Sequence, residues 1–203
     1  MLSLEDKDRV AKAIAAAERK TSGEIVAVIA LESDTYAYVP LLWAGGIAMI
    51  VPWPLIFLTW LPVQIVYAIQ LAVFLAVALA TWTRPLRYAL VPTSVRHARA
   101  HRRAVEQFLA QNLHTTTGRT GVLIFISAAE RYAEVIADIE IYEKVAKERW
   151  QGLVDRLITA MRESRPADGF VAAVTEAGEL LAAHFPPGSA DPDELPNHLI
   201  VLD

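Results

Sequence analysis

Four carboxylates, Glu24, Asp34, Glu130 and Asp138, stand where this sequence enters or leaves apolar, β-branched runs. Glu24 opens the run EIVAVIALES and Asp34 follows its end. Glu130 and Asp138 flank YAEVIA, with Glu140 close behind. Ligands of open α/β sheets collect where strands terminate. Grouped carboxylates at such a place would hold a hard cation, Ca²⁺ or Mg²⁺, through oxygen. The plainer alternative is that each is a solvated cap or turn residue. His97 and His101 have the i, i+4 spacing of a metal pair, but with no third ligand nearby in sequence they read as solvated helix histidines. The DPDE run at 191–194 falls short of a calcium-loop pattern and reads as solvated loop.

Other chemistry is excluded outright. The chain has no cysteine, so disulfides, thiolate metal sites and cysteine nucleophiles are ruled out. It contains no P-loop, GxGxxG, GxSxG or HExxH pattern. Its five histidines are scattered, which gives a Ser-His-Asp arrangement no support. A net charge of −4 gives no general reason to expect nucleic acid, and no aromatics interleave with the basic residues.

The elements that would position the carboxylates follow from periodicity. Val10, Ala13, Ile14 and Ala17 recur at helical spacing over 3–20, with Ser3 as N-cap, Asp6 three residues on and Gly23 suited to a left-handed C′ position. The first β-branched run has seven apolar residues without alternation, as a central strand covered on both faces would. A helix is expected over 94–112 with Val95, Ala98, Val105, Phe108 and Leu109 inward. A glycine-punctuated polar loop over 114–121 leads to the buried strand VLIFIS. A tight connection over 128–131 then makes YAEVIAD its hairpin partner. Residues 141–164 read as helix, with Trp150, Leu153, Val154, Leu157, Ile158 and Met161 on one stripe. Pro166 to Gly169 breaks it, and Asp168 can cap a last helix holding Phe170, Val174 and Leu181. HLIVL at the end reads as a short edge strand.

Between Asp34 and Arg84 lies a stretch of roughly fifty residues without one ionisable acid or base, long enough for two membrane passes. Trp43 and Trp82 lie near its ends, and Trp53 and Trp60 near its middle. That is the interfacial belt expected of a hairpin. Pro52, Pro54 and Pro62 place the turn between 52 and 62. Gln64 and Gln70 are expected to face the partner helix, and Gly45-Gly46 offers close helix approach. Arg84, Arg87, Arg96, Arg99, Arg102 and Arg103 follow the second pass. Cationic residues this close to a membrane exit stay on the cytoplasmic side and would meet anionic headgroups. A hairpin returns to its starting side, so both termini and the soluble parts are expected in the cytosol, on the inner membrane. The start MLSLEDKDRV lacks the basic and apolar regions of a signal peptide.

The order of helix, TSGEIVAVIA strand, long helix, GRTGVLIFIS strand, YAEVIAD strand and paired helices resembles the TPM domain family. The motifs that carry the resemblance are Thr21-Ser22-Gly23-Glu24-Ile25 and Gly121-Val122-Leu123, followed by the polar turn and YAEVIAD. The resemblance covers both soluble parts and implies a three-layer α/β/α fold with a small mixed sheet. It also implies one of the family's activities, since some members are acid phosphatases, some bind calcium, and others act by binding a membrane partner. Typical members carry an N-terminal signal and often a C-terminal membrane helix. Here a hairpin interrupts the domain after its first strand, and the acidic-glycine lead-in before the first helix is absent. The layout is similar to the bacterial membrane-embedded branch.

The expected organisation is therefore a TPM-like domain in two parts, 1–36 and 84–185, interrupted by a transmembrane hairpin over 37–83, with an acidic, proline-rich loop and edge strand over 186–203. The expected function is a binding or scaffolding module for membrane proteins or lipids, with Trp43, Trp60, Trp82, Arg84 and Arg87 at the membrane interface. The alternative is a metal-dependent acid phosphatase with Asp34 and Asp138 as chief ligands, Glu24 and Glu130 beside them, and Arg119 as phosphate contact.

Overall fold

The apolar runs and alanine-rich helices build a mixed α/β fold with a four-stranded mixed sheet. The computed structural model describes residues 2–116, 118–187 and 194–202. In chain order the elements begin with α1 (Leu4–Glu18), β1 (Glu24–Ala30), α2 (Val39–Ile50), α3 (Pro52–Leu58), α4 (Val63–Thr81) and α5 (Arg84–Ala89). They continue with α6 (Thr93–Ala110), a 3₁₀ turn (Leu113–Thr115), β2 (Gly121–Ser127), β3 (Tyr132–Ala137), α7 (Ile139–Lys144), α8 (Lys147–Arg162), α9 (Pro166–His184) and β4 (Leu199–Leu202). The chain divides into two compact units: residues 1–33 with 97–203, and residues 34–96.

In the first unit the strand order is β3-β2-β1-β4. β1 lies parallel to β2 over all seven residues, from Glu24 opposite Gly121 to Ala30 opposite Ser127. β4 runs parallel to β1 at one edge, and β3 is antiparallel to β2 at the other. Every residue of β1 and β2 is buried, because helices cover both faces of these central strands. Ile25, Ala27, Ile29, Val122, Ile124 and Ile126 pack with α1, α8 and α9. The alternate residues Val26, Val28, Leu123 and Phe125 pack with Ala104 and Phe108 of α6. The two-residue period of a strand thus feeds two cores at once.

Several details depart from the sequence expectation, each for a physical reason. The inward stripe of α6 is Ala100, Ala104 and Phe108, while Val105 and Leu109 are exposed. Small alanines let the helix axis approach the sheet, so the large aliphatics turn outward, and Val95 packs instead with Tyr36, Val39 and Val91. The 141–164 helix is two helices, α7 and α8, separated where Val145 and Ala146 become extended. Pro166 starts α9 and does not break a helix, since its fixed φ suits the first turn. Asp168 lies inside that turn and pairs with Arg9 at 2.6 Å. Ser3 and Asp6 do form the capping box of α1, and the Ser3 amide and hydroxyl hold the Asp6 carboxyl below its ordinary range. Gly23 is not left-handed, and no described glycine has positive φ. Its value is space, because a Cβ there would lie 2.9 Å from Leu181 Cδ1.

In the second unit, α2 and α3 give a nearly continuous apolar run from Val39 to Leu58, and α4 returns antiparallel in sequence order after Thr59-Trp60-Leu61-Pro62. The turn is therefore at the Pro62 end; Pro52 is tolerated because it sits at the first position of α3. Ala44 and Ala48 of α2 and Val66 of α4 are the buried contacts. Gly45 and Gly46 are not the close-approach residues, since a Cβ on either meets nothing within 4 Å. Gln64 is exposed and Gln70 half-buried, so Gln64 does not face a partner helix.

Candidate functional site

The expected carboxylate set does not assemble. Glu24 and Asp138 lie at the end of the sheet where β1 and β2 begin, because Asp138 follows β3 and its amide donates to Gly121 O at 2.9 Å. Glu130 lies at the other end, beyond Ser127. Six residue steps of strand separate the ends, about 20 Å at ~3.3 Å per residue. Asp34 belongs to the second unit, where its carboxylate accepts the Tyr36 amide at 2.9 Å. Among the described residues no three His, Asp or Glu side chains group as a metal site would require. The DPDE run lies, apart from Glu194, outside the described residues; the Glu194 amide donates to Glu24 Oε1 at 3.2 Å.

Each carboxylate has a local structural task. Asp138 is buried and is the N-cap of α7, accepting the Ile139 amide at 2.7 Å. It also holds Arg119 in a two-point pair, Nε to Oδ2 at 2.8 Å and Nη2 to Oδ1 at 3.1 Å. That hydrogen bonding and the Asp138 charge raise the Arg119 pKa further. Arg119 sits in left-handed backbone, φ 52°, and its guanidinium fork is already committed to Asp138. The ion pair ties the loop to the helix start through two of the guanidinium's donors. Asp138→Ala should cost about 1 kcal/mol by urea unfolding for the lost cap, and the pair adds little because Arg119 is exposed to solvent. Arg119→Ala should cost less than Asp138→Ala in the same measurement, because the pair is screened by solvent on the arginine side and the cap survives.

At the opposite end, the buried Glu130 accepts the Ser127 hydroxyl and the Ser33 amide, the latter at 3.2 Å to both oxygens. Ser33 Oγ and Ser127 Oγ lie 2.7 Å apart. This knot ties the exit of β1 to the β2–β3 turn, where Arg131 adopts φ 54°. The sequence marks Glu130 and Ser33 at strand ends but not their partnership; the i, i+3 spacing of Ser127 and Glu130 around a tight turn is the available signal.

A third polar group had no sequence signal. On the α6 side of β3, Glu134 receives His101 Nδ1 at 2.9 and 3.0 Å and the Tyr132 hydroxyl at 3.0 Å. His97 lies against the Tyr132 ring at 5.2 Å between centroids. Burial, then the neighbouring Glu134 charge, push the Tyr132 phenol well above its ordinary range. His101 and Glu134 are 33 residues apart, and only the packing of α6 over β3 joins them.

Beside this cluster a groove runs along the β3 edge of the sheet. A cavity of about 350 Å³ is bounded by β3, by Trp150, Val154 and Ile158 of α8, and by His97 of α6. A second of about 350 Å³ continues it toward Ser127, Met161 and Arg162. The two share Arg131, Tyr132, Ala133 and Ile158. In the second unit, Trp43, Trp60 and Trp82 are all exposed, Trp60 completely. Arg84 opens α5 and Arg87 is half-buried within it.

No family model matches this chain, and no curated protein matches it. Among solved structures it is similar to the NMR structure of BA42 protein from the psychrophilic bacterium Bizionia argentinensis, at 19% identity and a TM-score of 0.62, over 99% of this chain and 95% of that one. That likeness is one of fold.

Proposed function

We propose that this chain is a TPM-like domain, three layers α/β/α around its small mixed sheet, interrupted by a transmembrane helical hairpin. It works as a binding or scaffolding module for membrane proteins or lipids at the cytoplasmic face of a bacterial inner membrane. One observation carries the reading. Val39–Leu58 and Val63–Thr81 have mean hydropathies of 2.0 and 2.3, yet only 11% and 6% of their most apolar windows are buried. A core helix of a water-soluble protein would be mostly covered, and an apolar surface this extensive is not sustained in water. Lipid solvates it without cost, while Trp43, Trp60 and Trp82 suit the interfaces and Arg84 and Arg87 the cytoplasmic headgroups. The alternative of a Ca²⁺- or Mg²⁺-dependent phosphatase draws no comparable support, with its carboxylates at opposite sheet ends and Arg119 held by Asp138.

Membrane fractionation with alkaline carbonate, followed by affinity capture in mild detergent, tests the reading. The full chain should remain in the washed membranes and recover a reproducible membrane partner. A chain that washes into the supernatant would sink the anchor, and one that recovers no partner would sink the scaffold.

A further inference from the structure

We infer that the outer edge of β3 is a strand-addition site for an extended, acidic polypeptide segment of a partner protein. The inference rests on the binding-module reading and names the surface and the partner class that serve it.

The backbone register sets up the site. The Asp138 amide donates to Gly121 O, so Asp138 opposite Gly121 is a hydrogen-bonded pair of the antiparallel ladder. Such pairs alternate; Tyr132, Glu134 and Ile136 therefore bond to β2, and Ala133, Val135 and Ala137 point their N–H and C=O groups outward. β3 pairs with β2 alone, and none of these three residues makes another backbone hydrogen bond among the described residues. The edge carries little of the usual protection: YAEVIA contains no proline, lysine or glycine, and its one charge, Glu134, is held by His101 and Tyr132.

The walls fit a fifth strand. Side chains of an added strand alternate between the two faces. On one face they would meet Trp150, Val154 and Ile158 of α8, on the other His97 and Tyr132. Trp150 is buried, and its indole N–H has no acceptor among the described residues. At the other edge β4 has only four residues, and the cavity of about 340 Å³ beside Val201 is lined by Leu2, Ile29, Leu31, Met161 and Pro166, with Lys7 as its one charged residue.

Charge selects the partner. Arg131 and Arg162 stand toward one end of the groove and Lys147 at the start of α8 toward the other. All three are exposed, and none is ion-paired among the described residues. The groove's acid, Glu134, is already held by His101 and Tyr132. The surface left for a ligand is cationic at its ends and apolar along one wall. An extended segment with apolar residues at every second position and acids between them complements it, using main-chain bonds for affinity and side chains for selection.

The test uses the full chain in detergent micelles and a fluorescein-labelled octapeptide of alternating glutamate and valine, read by anisotropy. Binding tighter than about 1 mM is expected. It should weaken at least about tenfold for Arg131→Glu combined with Lys147→Glu, for a lysine–valine peptide, and for a glutamate–valine peptide N-methylated at alternate residues. Val135→Pro should weaken it similarly, because proline removes an outward N–H and no ladder bond to β2. If that variant does not fold, the N-methylated peptide on the wild-type chain makes the same test. Equal binding of the N-methylated or the lysine peptide, or no binding at about 1 mM, overturns the inference. A membrane partner captured equally by wild type and by the doubly charge-reversed variant also overturns it, while leaving the binding-module reading intact. Peptide binding that survives in a chain found not to be membrane-held supports the edge site and counts against the anchor alone.

Discussion

Leu71→Arg is expected to remove most of the chain from carbonate-washed membranes, whereas Gly45→Ala should leave it there. Leu71 lies near the middle of α4 and is 59% exposed, on a stripe with Tyr67, Leu75 and Leu79. Under the proposed reading this stripe faces lipid. At the centre of a spanning helix leucine favours insertion by about 0.5 kcal/mol and arginine opposes it by about 3. The difference, roughly 3.5 kcal/mol, corresponds to a factor of several hundred in the inserted population. Eight residues of helix before Leu71 and ten after it are too many for the guanidinium to reach a headgroup without distorting the bilayer. Gly45 is a control on the same hairpin: its added Cβ meets nothing within 4 Å, and alanine is the better helix former. Equal membrane retention of Leu71→Arg and wild type would show that this face is covered by something other than lipid.

The second large effect is in the sheet. Gly121→Ala should destabilise the fold by about 3 kcal/mol, the upper end of the overpacking range. A Cβ on Gly121 would fall closer to Leu113 O than real Cβ atoms come, and 3.0 Å from the Leu113 carbonyl carbon. Those are backbone atoms, so no rotamer change relieves the clash. Leu113 is fully buried in the second core with Phe108 and Phe125 and cannot retreat. Gly121 itself is pinned between Glu24 of β1 and the Asp138 amide. Thermal unfolding should shift down by about 6–12 °C for a chain of this size. A shift under about 2 °C would mean that the 3₁₀ turn yields, and that the Gly121 contact is not a constraint.

Gly121 marks how much could be read from the residues alone. The glycine announced a tight place after a polar loop, but nothing nearby in sequence announced Leu113 as the obstacle. Similarly, the run over 24–30 declared a strand buried on both faces, because β-branched residues without alternation have no solvent face to offer. That Val26 and Ile25 serve different cores follows from strand period, and it became specific only when α6 and α9 were in place. For α6 the periodicity placed Val105 and Leu109 inward beside Phe108, and only Phe108 of the three is buried. Close approach to the sheet instead favoured alanine, a preference that depends on the distance between the packed elements.

The candidate site divides in the same way. Residue type was enough to place Glu24, Glu130 and Asp138 at strand ends, where backbone groups need caps. Strand direction then decided that they could not meet: β1 and β2 are parallel and β3 reverses, so Asp138 returns to the start of the sheet while Glu130 stays at its far end. His101 with Glu134 depends on a contact across 33 residues, and the open edge with its groove depends on how α6 and α8 pack beside β3; neither leaves a local pattern.

The sequence by itself determined the uncharged stretch, the two central strands and the absence of cysteine chemistry, because these are properties of composition and short-range periodicity. Tertiary structure alone decided which polar groups are neighbours, that Arg119 is tied to Asp138, and that β3 presents Ala133, Val135 and Ala137 outward. The physical reason is range: burial and periodicity act over a few residues, whereas ion pairs and edge registry are fixed by how distant segments pack.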